Sequence, residues 1–367
     1  MSSASALFRP FHIHGLTLEN RIVMAPMTRS FSPGGVPGPD VAAYYRRRAE
    51  NGVGMILTEG TAIAHPAAVS DPKVPRFHGE DALAGWARVL AEVHAAGGRI
   101  MPQLWHVGMM RKPGDLPNPE APPVGPSGIA VPAGKLTEPL TESEIGGLIE
   151  AYAQGAADAR RLGFDGVELH GAHGYLIDQF FWEMTNQRTD RYGGDLVART
   201  RFAAEAVRAC RRAAGPDFPI LLRFSQWKIA DFGARLAPTP EALERFLAPL
   251  ADAGVDIFHC STRRFWEAEF PGSDLNLAGW TKKLIGKPVI TVGSVGLDND
   301  LMTAFREGKG AATTGIEAII RMIERDEVDL VAVGRALLTD PAWAAKIRDG
   351  RTGDLQPFTL DAMKMLT

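Results

Sequence analysis

Cysteine is nearly absent from this chain: two residues in 367, Cys210 and Cys260, in unrelated surroundings. No Cys-x-x-Cys pair exists, which excludes a zinc ribbon and an iron–sulfur cluster. Long apolar runs are missing as well. No stretch is able to span a bilayer, and Met1 to Phe8 lacks the apolar core of a signal peptide, so a cytoplasmic protein is expected. Charge of one sign is scarce. A net charge of -3 gives no reason to expect a nucleic-acid or membrane-surface partner. Arg46-Arg47-Arg48 and Arg211-Arg212 are short and read as solvated helix faces. No GxGxxG turn follows the first candidate strand, which argues against a doubly wound dinucleotide fold.

What is present is a soluble-enzyme composition, 45% hydrophobic and 23% charged, ample for one large barrel or two ordinary domains. Short β-rich apolar runs recur at Ile22–Ala25, Met55–Thr58, Ile100–Leu104, Gly166–Leu169, Ile220–Phe224, Ile257–Cys260, Val289–Val292 and Leu330–Val333. Several are apolar on both faces, as in parallel strands buried on both sides. Helical patterns separate them. Thr141-Glu142-Ser143-Glu144 is a capping box, and Gly163 is the matching stop. Thr239-Pro240 opens another helix, and Asp40 through Glu50 is a third.

Eight βα repeats predict an α/β fold, a (β/α)8 TIM barrel, as a single domain over residues 1–367. Leu7–Leu18 is expected to form a hairpin that plugs the barrel floor. Pro113–Pro139 holds eight of the 26 prolines, so it is neither a helix nor a central strand. It is expected as a long excursion after strand 3 that arches over the mouth.

Active sites of such barrels lie at the C-terminal strand ends. Those ends carry Pro26-Met27-Thr28, Glu59-Gly60-Thr61, Gln103-Leu104-Trp105-His106, then His170, His173 and Tyr175 where the fourth strand ends. Arg223 follows on strand five, His259 and Cys260 on six, Gly293-Ser294 on seven and Gly334-Arg335 on eight. Small residues after strands seven and eight, with one arginine, suit a phosphate belonging to a sugar, to PLP or to FMN. No lysine at a strand end is available for a Schiff base, the nearest being Lys228 beyond strand five, and this favours a flavin. Two imidazoles and a phenol around one volume suit gripping a carbonyl oxygen and delivering a proton. A zinc pair is the rival. Its only nearby third ligand is Glu168, expected to face away from the mouth.

The runs Leu18-Glu19-Asn20-Arg21-Ile22-Val23-Met24-Ala25-Pro26-Met27-Thr28-Arg29, Gln103 through His106, His170 through Gln179, Asn186 through Gly194 and Gly334-Arg335 resemble the old yellow enzyme family of FMN-dependent ene reductases. The resemblance covers essentially the whole chain. It implies FMN ligands at Ala25, Pro26, Thr28, Gly60, Gln103, Arg223, Gly293, Ser294, Gly334 and Arg335. It implies substrate-oxygen donors at His170 and His173, a proton donor at Tyr175, and Trp105 shaping the pocket. It further implies NADPH or NADH as electron donor, a small activated alkene as substrate, and a monomer or homodimer. Thr28 stands where one branch of the family carries a redox-tuning cysteine, and Ser294 where glycine is commoner. With no cluster-binding cysteines before Thr367, electrons are expected directly from a soluble nicotinamide.

Two alternatives remain at this point: amine oxidation, as in some larger relatives, and a non-catalytic flavin- or ligand-binding barrel. Trp227 and Trp266 follow strands five and six, and each is an even choice between core and pocket wall. Cys260 is expected as a buried, inert thiol. His106 is expected to support the site rather than react.

Overall fold

The computed structural model describes residues 4–367, so the first three residues of the stretch read for a signal peptide lie outside it. Eight parallel strands close into a barrel: β1 (Ile22–Met24), β2 (Met55–Ala62), β3 (Ile100–Trp105), β4 (Val167–His173), β5 (Ile220–Lys228), β6 (Ile257–Ser261), β7 (Val289–Val292) and β8 (Leu330–Val333). Closure is direct, with Val331 of β8 registered against Ile22 of β1. Each expected strand is present and starts within one residue of its apolar run. The ends differ. β2, β4 and β5 run on by four residues past Thr58, Leu169 and Phe224. Polar residues continue these strands because their neighbours still offer backbone partners at the barrel mouth. No described helix is long and apolar enough to cross a membrane.

Helices form where the caps indicate. Thr141 Oγ1 accepts from Glu144 N while Glu144 Oε2 accepts from Thr141 N, opening the helix Glu142–Leu162. Gly163 ends that helix at φ +96°, a conformation glycine adopts without steric cost. Thr239 caps Pro240–Asp252 in the same way, its hydroxyl accepting from Ala242 N.

The N-terminal hairpin pairs Phe11–Ile13 with Leu16–Leu18. Phe11, Leu16 and Leu18 pack with Met55, Met101, Leu221 and Leu330 inside the barrel, closing its floor as expected. With the floor filled by apolar side chains, polar groups are left to the opposite end.

Two expectations need correction. The proline-rich segment does not arch over the mouth, since no residue from 113 to 139 lines the cleft described below. Arg111, itself buried, draws it aside by donating to the carbonyls of Ala121, Asp115 and Asn118, and Arg188 binds Pro126 O. The arginine run 46–48 is not a wholly solvated face. Arg48 is fully buried, stacks on Tyr44 at 3.8 Å, and donates to the carbonyls of Tyr44, Leu337 and Thr367. Together with Arg29 and Arg47, it holds the last residues of the chain against the barrel.

Candidate active site

The strand ends open into a cleft of about 410 Å³. That volume falls within the roughly 300–1,000 Å³ of small-molecule and cofactor sites. Ala25, Pro26 and Thr28 after β1, Gly60 in β2, and Gln103 and Trp105 in β3 form one side. His170 and His173 of β4, with Tyr175 just beyond it and Arg223 of β5, form the next. Gly293-Ser294 and Gly334-Arg335, after β7 and β8, complete the ring. All the expected site residues therefore share one cavity.

A regular strand would send His170 and His173, three apart, to opposite faces. The pairing of β4 with β5 shifts between Gly171 and His173, and His173 adopts φ +67°. That bulge turns both rings inward, with centroids 5.1 Å apart. Tyr175 lies 5.0 Å from His170 and 6.5 Å from His173, and Trp105 packs edge-on to Tyr175 at 4.9 Å. A left-handed non-glycine residue costs on the order of 1–3 kcal/mol and needs outside support. Here His173 N donates to Ser225 Oγ at 2.9 Å and Gly174 N to Asp178 Oδ2 at 2.7 Å. Asp178 is anchored in turn by a fully buried ion pair with Lys228 at 2.6 Å. Lys228 is therefore a structural group inside β5.

Burial, with the Arg223 charge adding to it, holds both His170 and His173 well below the ordinary histidine range, so both are neutral at pH 7. Burial pushes the Tyr175 phenol up, so it keeps its proton across the neutral range. Among the described residues, no third ligand turns the imidazoles into a metal cluster.

Two cations are short of anions. Arg223 is buried, donates to Ser261 Oγ at 3.2 Å, leaves Nε without a partner, and has no ion pair among the described residues. Arg335 binds Ser294 Oγ and Asn299 Oδ1, both at 3.2 Å, and feels the Asp300 and Asp298 charges without a direct ion pair to either among the described residues. Burial lowers it to about 10. A desolvated guanidinium held in no direct ion pair suits an anionic ligand. Gly60 leaves room for Trp105, since a Cβ there would lie 2.6 Å from Trp105 Cε3. At Gly293 a Cβ would meet Thr262 Oγ1 at 2.6 Å. Ser294 takes the left-handed φ of +54° that explains a preference for glycine here, and its hydroxyl steadies it on Arg263 O at 3.0 Å. This donor set and shape fit FMN, with Arg335 and the β7–β8 turns for a phosphate and Arg223 with Gln103 for a polar ring.

Glu168 corrects an expectation. It points into the barrel, fully buried, one pleat below His170. It accepts from Gln103 Nε2 and pairs with His259 Nδ1, both at 2.7 Å. A carboxylate only accepts, so Gln103 must turn its amide nitrogen toward Glu168. His259 belongs to this layer and not to the mouth. Cys260 faces the helix Leu277–Ile285, where its thiol bonds Thr281 and burial pushes it up to about 12. Trp227 lines the cleft and stacks on His173 at 4.5 Å, whereas Trp266 lies outside it, 46% exposed. His106 lies outside the lining, buried and bonded to His65 Nδ1 at 2.9 Å.

Residues that sequence reasoning passed over also reach the cleft: Ser261, Arg263, Phe232 and Met363. Strand parity could have found Ser261, which shares the inward face with His259. Nothing local marks Met363, which arrives through the folded-back C-terminal segment.

Glu59 sits behind the β1 loop, accepting from Arg29 N at 2.8 Å and Ser30 N at 3.0 Å. Burial pushes its carboxyl up to about 7. Between the unfolded carboxyl value of about 4.3 and 7, the folded state holds a proton that the unfolded state has released. The associated stability is present at acid pH and lost as pH rises through 7. Glu59→Gln carries no such proton. Between pH 5 and pH 8 the parent should lose on the order of 2 kcal/mol relative to this variant in urea unfolding. Parallel pH dependences would refute the buried-acid assignment.

The pattern of NADH:flavin oxidoreductase / NADH oxidase proteins matches residues 6–354. An NADH oxidase of Thermoanaerobacter brockii is 34% identical over 366 residues, 95% of this chain and 52% of that protein. The chain thus spans about half the length of that relative. An NADPH dehydrogenase of Halalkalibacterium halodurans is 32% identical over 342 residues, covering 92% of each. Morphinone reductase in complex with tetrahydroNAD superimposes with a TM-score of 0.81 at 28% identity, covering 97% of this chain and 93% of that one. The barrel, the cleft and these matches agree: the chain belongs to the NADH:flavin oxidoreductase / NADH oxidase family, whose old yellow enzyme motifs it carries and whose cofactor is FMN.

Proposed function

We propose that the protein reduces the C=C bond of α,β-unsaturated carbonyl and nitro compounds, with NADPH or NADH as electron donor. The observation that carries this reading is the convergence of His170, His173 and Tyr175 on one wall of a cleft with two anion-seeking arginines. Ala25, Pro26, Thr28, Gly60, Gln103 and Arg223 would hold the FMN ring, and Gly293, Ser294, Gly334 and Arg335 its phosphate. Bound FMN supplies the hydride that the β-carbon of the alkene receives. His170 and His173, as neutral N–H donors, grip the substrate oxygen and draw electron density from the double bond. Tyr175 gives its proton to the α-carbon. Trp105 and Trp227 confine the substrate between flat walls.

The purified protein should be yellow and release FMN, not FAD, on denaturation. Arg335→Ala should weaken FMN binding more than tenfold in a fluorescence titration, through loss of a charge-assisted phosphate contact. Anaerobic NADPH should bleach the protein, and 2-cyclohexenone should restore the colour with cyclohexanone as product. Bleaching without any saturated ketone on reoxidation would overturn the substrate class.

A further inference from the structure

We propose that Ser261 is a positioning residue that fixes the tautomer of His173, so that His173 presents Nδ1–H, and His170 Nε2–H, to the substrate oxygen. The inference rests on the reading of the two histidines as oxygen donors. For His170 the assignment follows from Ala172 N, which donates to His170 Nδ1 at 3.3 Å. A backbone N–H can only donate, so Nδ1 carries the lone pair and the proton of the neutral ring is on Nε2.

Among the described residues His173 has no backbone partner on its ring. Its Nε2 lies 2.8 Å from Ser261 Oγ, the last residue of β6. That hydroxyl also receives Arg223 Nη2 at 3.2 Å, and a guanidinium never accepts. With one lone pair engaged by Arg223, the Ser261 hydrogen has one acceptor among the described residues, His173 Nε2. In the opposite arrangement Nε2–H would donate to Oγ, and the buried hydroxyl hydrogen would be left without a partner. The positive charge of Arg223 also makes Ser261 the better donor. A chain from Arg223 through Ser261 to His173 Nε2 therefore leaves the proton on Nδ1.

The consequence is functional. Nδ1 makes no hydrogen bond among the described residues, in a ring that lines the cleft and is clamped flat against Trp227. With the other tautomer a lone pair would meet the substrate oxygen, and the second donor would become a repulsive acceptor. Ser261 touches neither reacting atom, yet it decides whether His173 can act. Parity along β6 turns Ser261 to the inward face it shares with His259, and β6 stands beside β5, which stands beside β4.

The test is a long-range ¹H–¹⁵N correlation of holoprotein labelled in its histidines, with His173→Ala assigning the signals. The expected parent spectrum shows His173 protonated at Nδ1, and Ser261→Ala should move proton density to Nε2 while Ser261→Thr restores the parent pattern. Phenol titration of the same proteins should show about a tenfold loss of affinity for Ser261→Ala and recovery in Ser261→Thr. A proton on Nε2 in the parent overturns the proposal, and this reading does not depend on any variant folding. So does an affinity loss in His173→Ala that Ser261→Ala fails to share. If His173→Ala binds phenol like the parent while the tautomer is as assigned, the donor reading fails and the role of Ser261 in setting the proton stands.

Discussion

Tyr175→Phe is expected to divide the two half-reactions. Reduction by NAD(P)H requires no proton from Tyr175, so its rate should stay within a few-fold of the parent. Reoxidation by 2-cyclohexenone requires a proton at the α-carbon as the β-carbon receives hydride. That step should slow by roughly 10²–10⁴, the usual contribution of a positioned general acid. The phenol is suited to this because burial raises it and keeps it protonated, and because it stands 5.0 Å, ring to ring, from His170. Nitroalkenes should suffer less, since a nitronate holds the charge until water supplies the proton. Stopped-flow traces of both half-reactions decide the matter. Equal slowing of both would mean that Tyr175 shapes the pocket and is not the acid.

Replacing His170 and His173 together with alanine is expected to abolish alkene reduction while FMN remains bound. Removing one positioned oxyanion donor costs roughly 3–4 kcal/mol of transition-state stabilisation, so losing two should slow the reaction roughly 10⁴-fold or more. FMN should stay because the residues assigned to its phosphate, Ser294 and Arg335, follow β7 and β8 rather than β4. Phenols give a charge-transfer band when they stack on the flavin, which supplies a readout independent of turnover. If the double variant keeps that band at the parent's affinity, the donor assignment is wrong.

The barrel was legible because its signals are local. Eight apolar runs, a capping box at Thr141 and a stop at Gly163 each act over a few residues, and each forms where expected. The strand-end rule then located the cleft, since the chain can place only certain side chains at the C-terminal rim of a parallel barrel. Errors arose where a side chain chose between faces. Glu168, flanked by Val167 and Leu169, was expected away from the mouth, yet the pleat turns it inward to Gln103 and His259. The prolines at 113–139 exclude a helix or a central strand, and only the short pair Ile129–Ala130 with Gly134–Lys135 forms there. They carry no direction, and buried Arg111 ties the segment down.

The sequence by itself determined the strand count, the order of chemistry around the rim, and the residue types available to grip an anion and an oxygen. Those follow from periodicity and chain order, which folding cannot alter. Only the tertiary structure decided which groups meet. The bulge at Gly171–His173 depends on pairing with β5, and without it the two imidazoles would face opposite sides. Neutral histidines and a retained phenol proton arise from burial, a property of the packed barrel and not of any segment. The partnership of Ser261 with Arg223 and His173 spans 38 and 88 residues of chain, and it exists only because β4, β5 and β6 stand side by side.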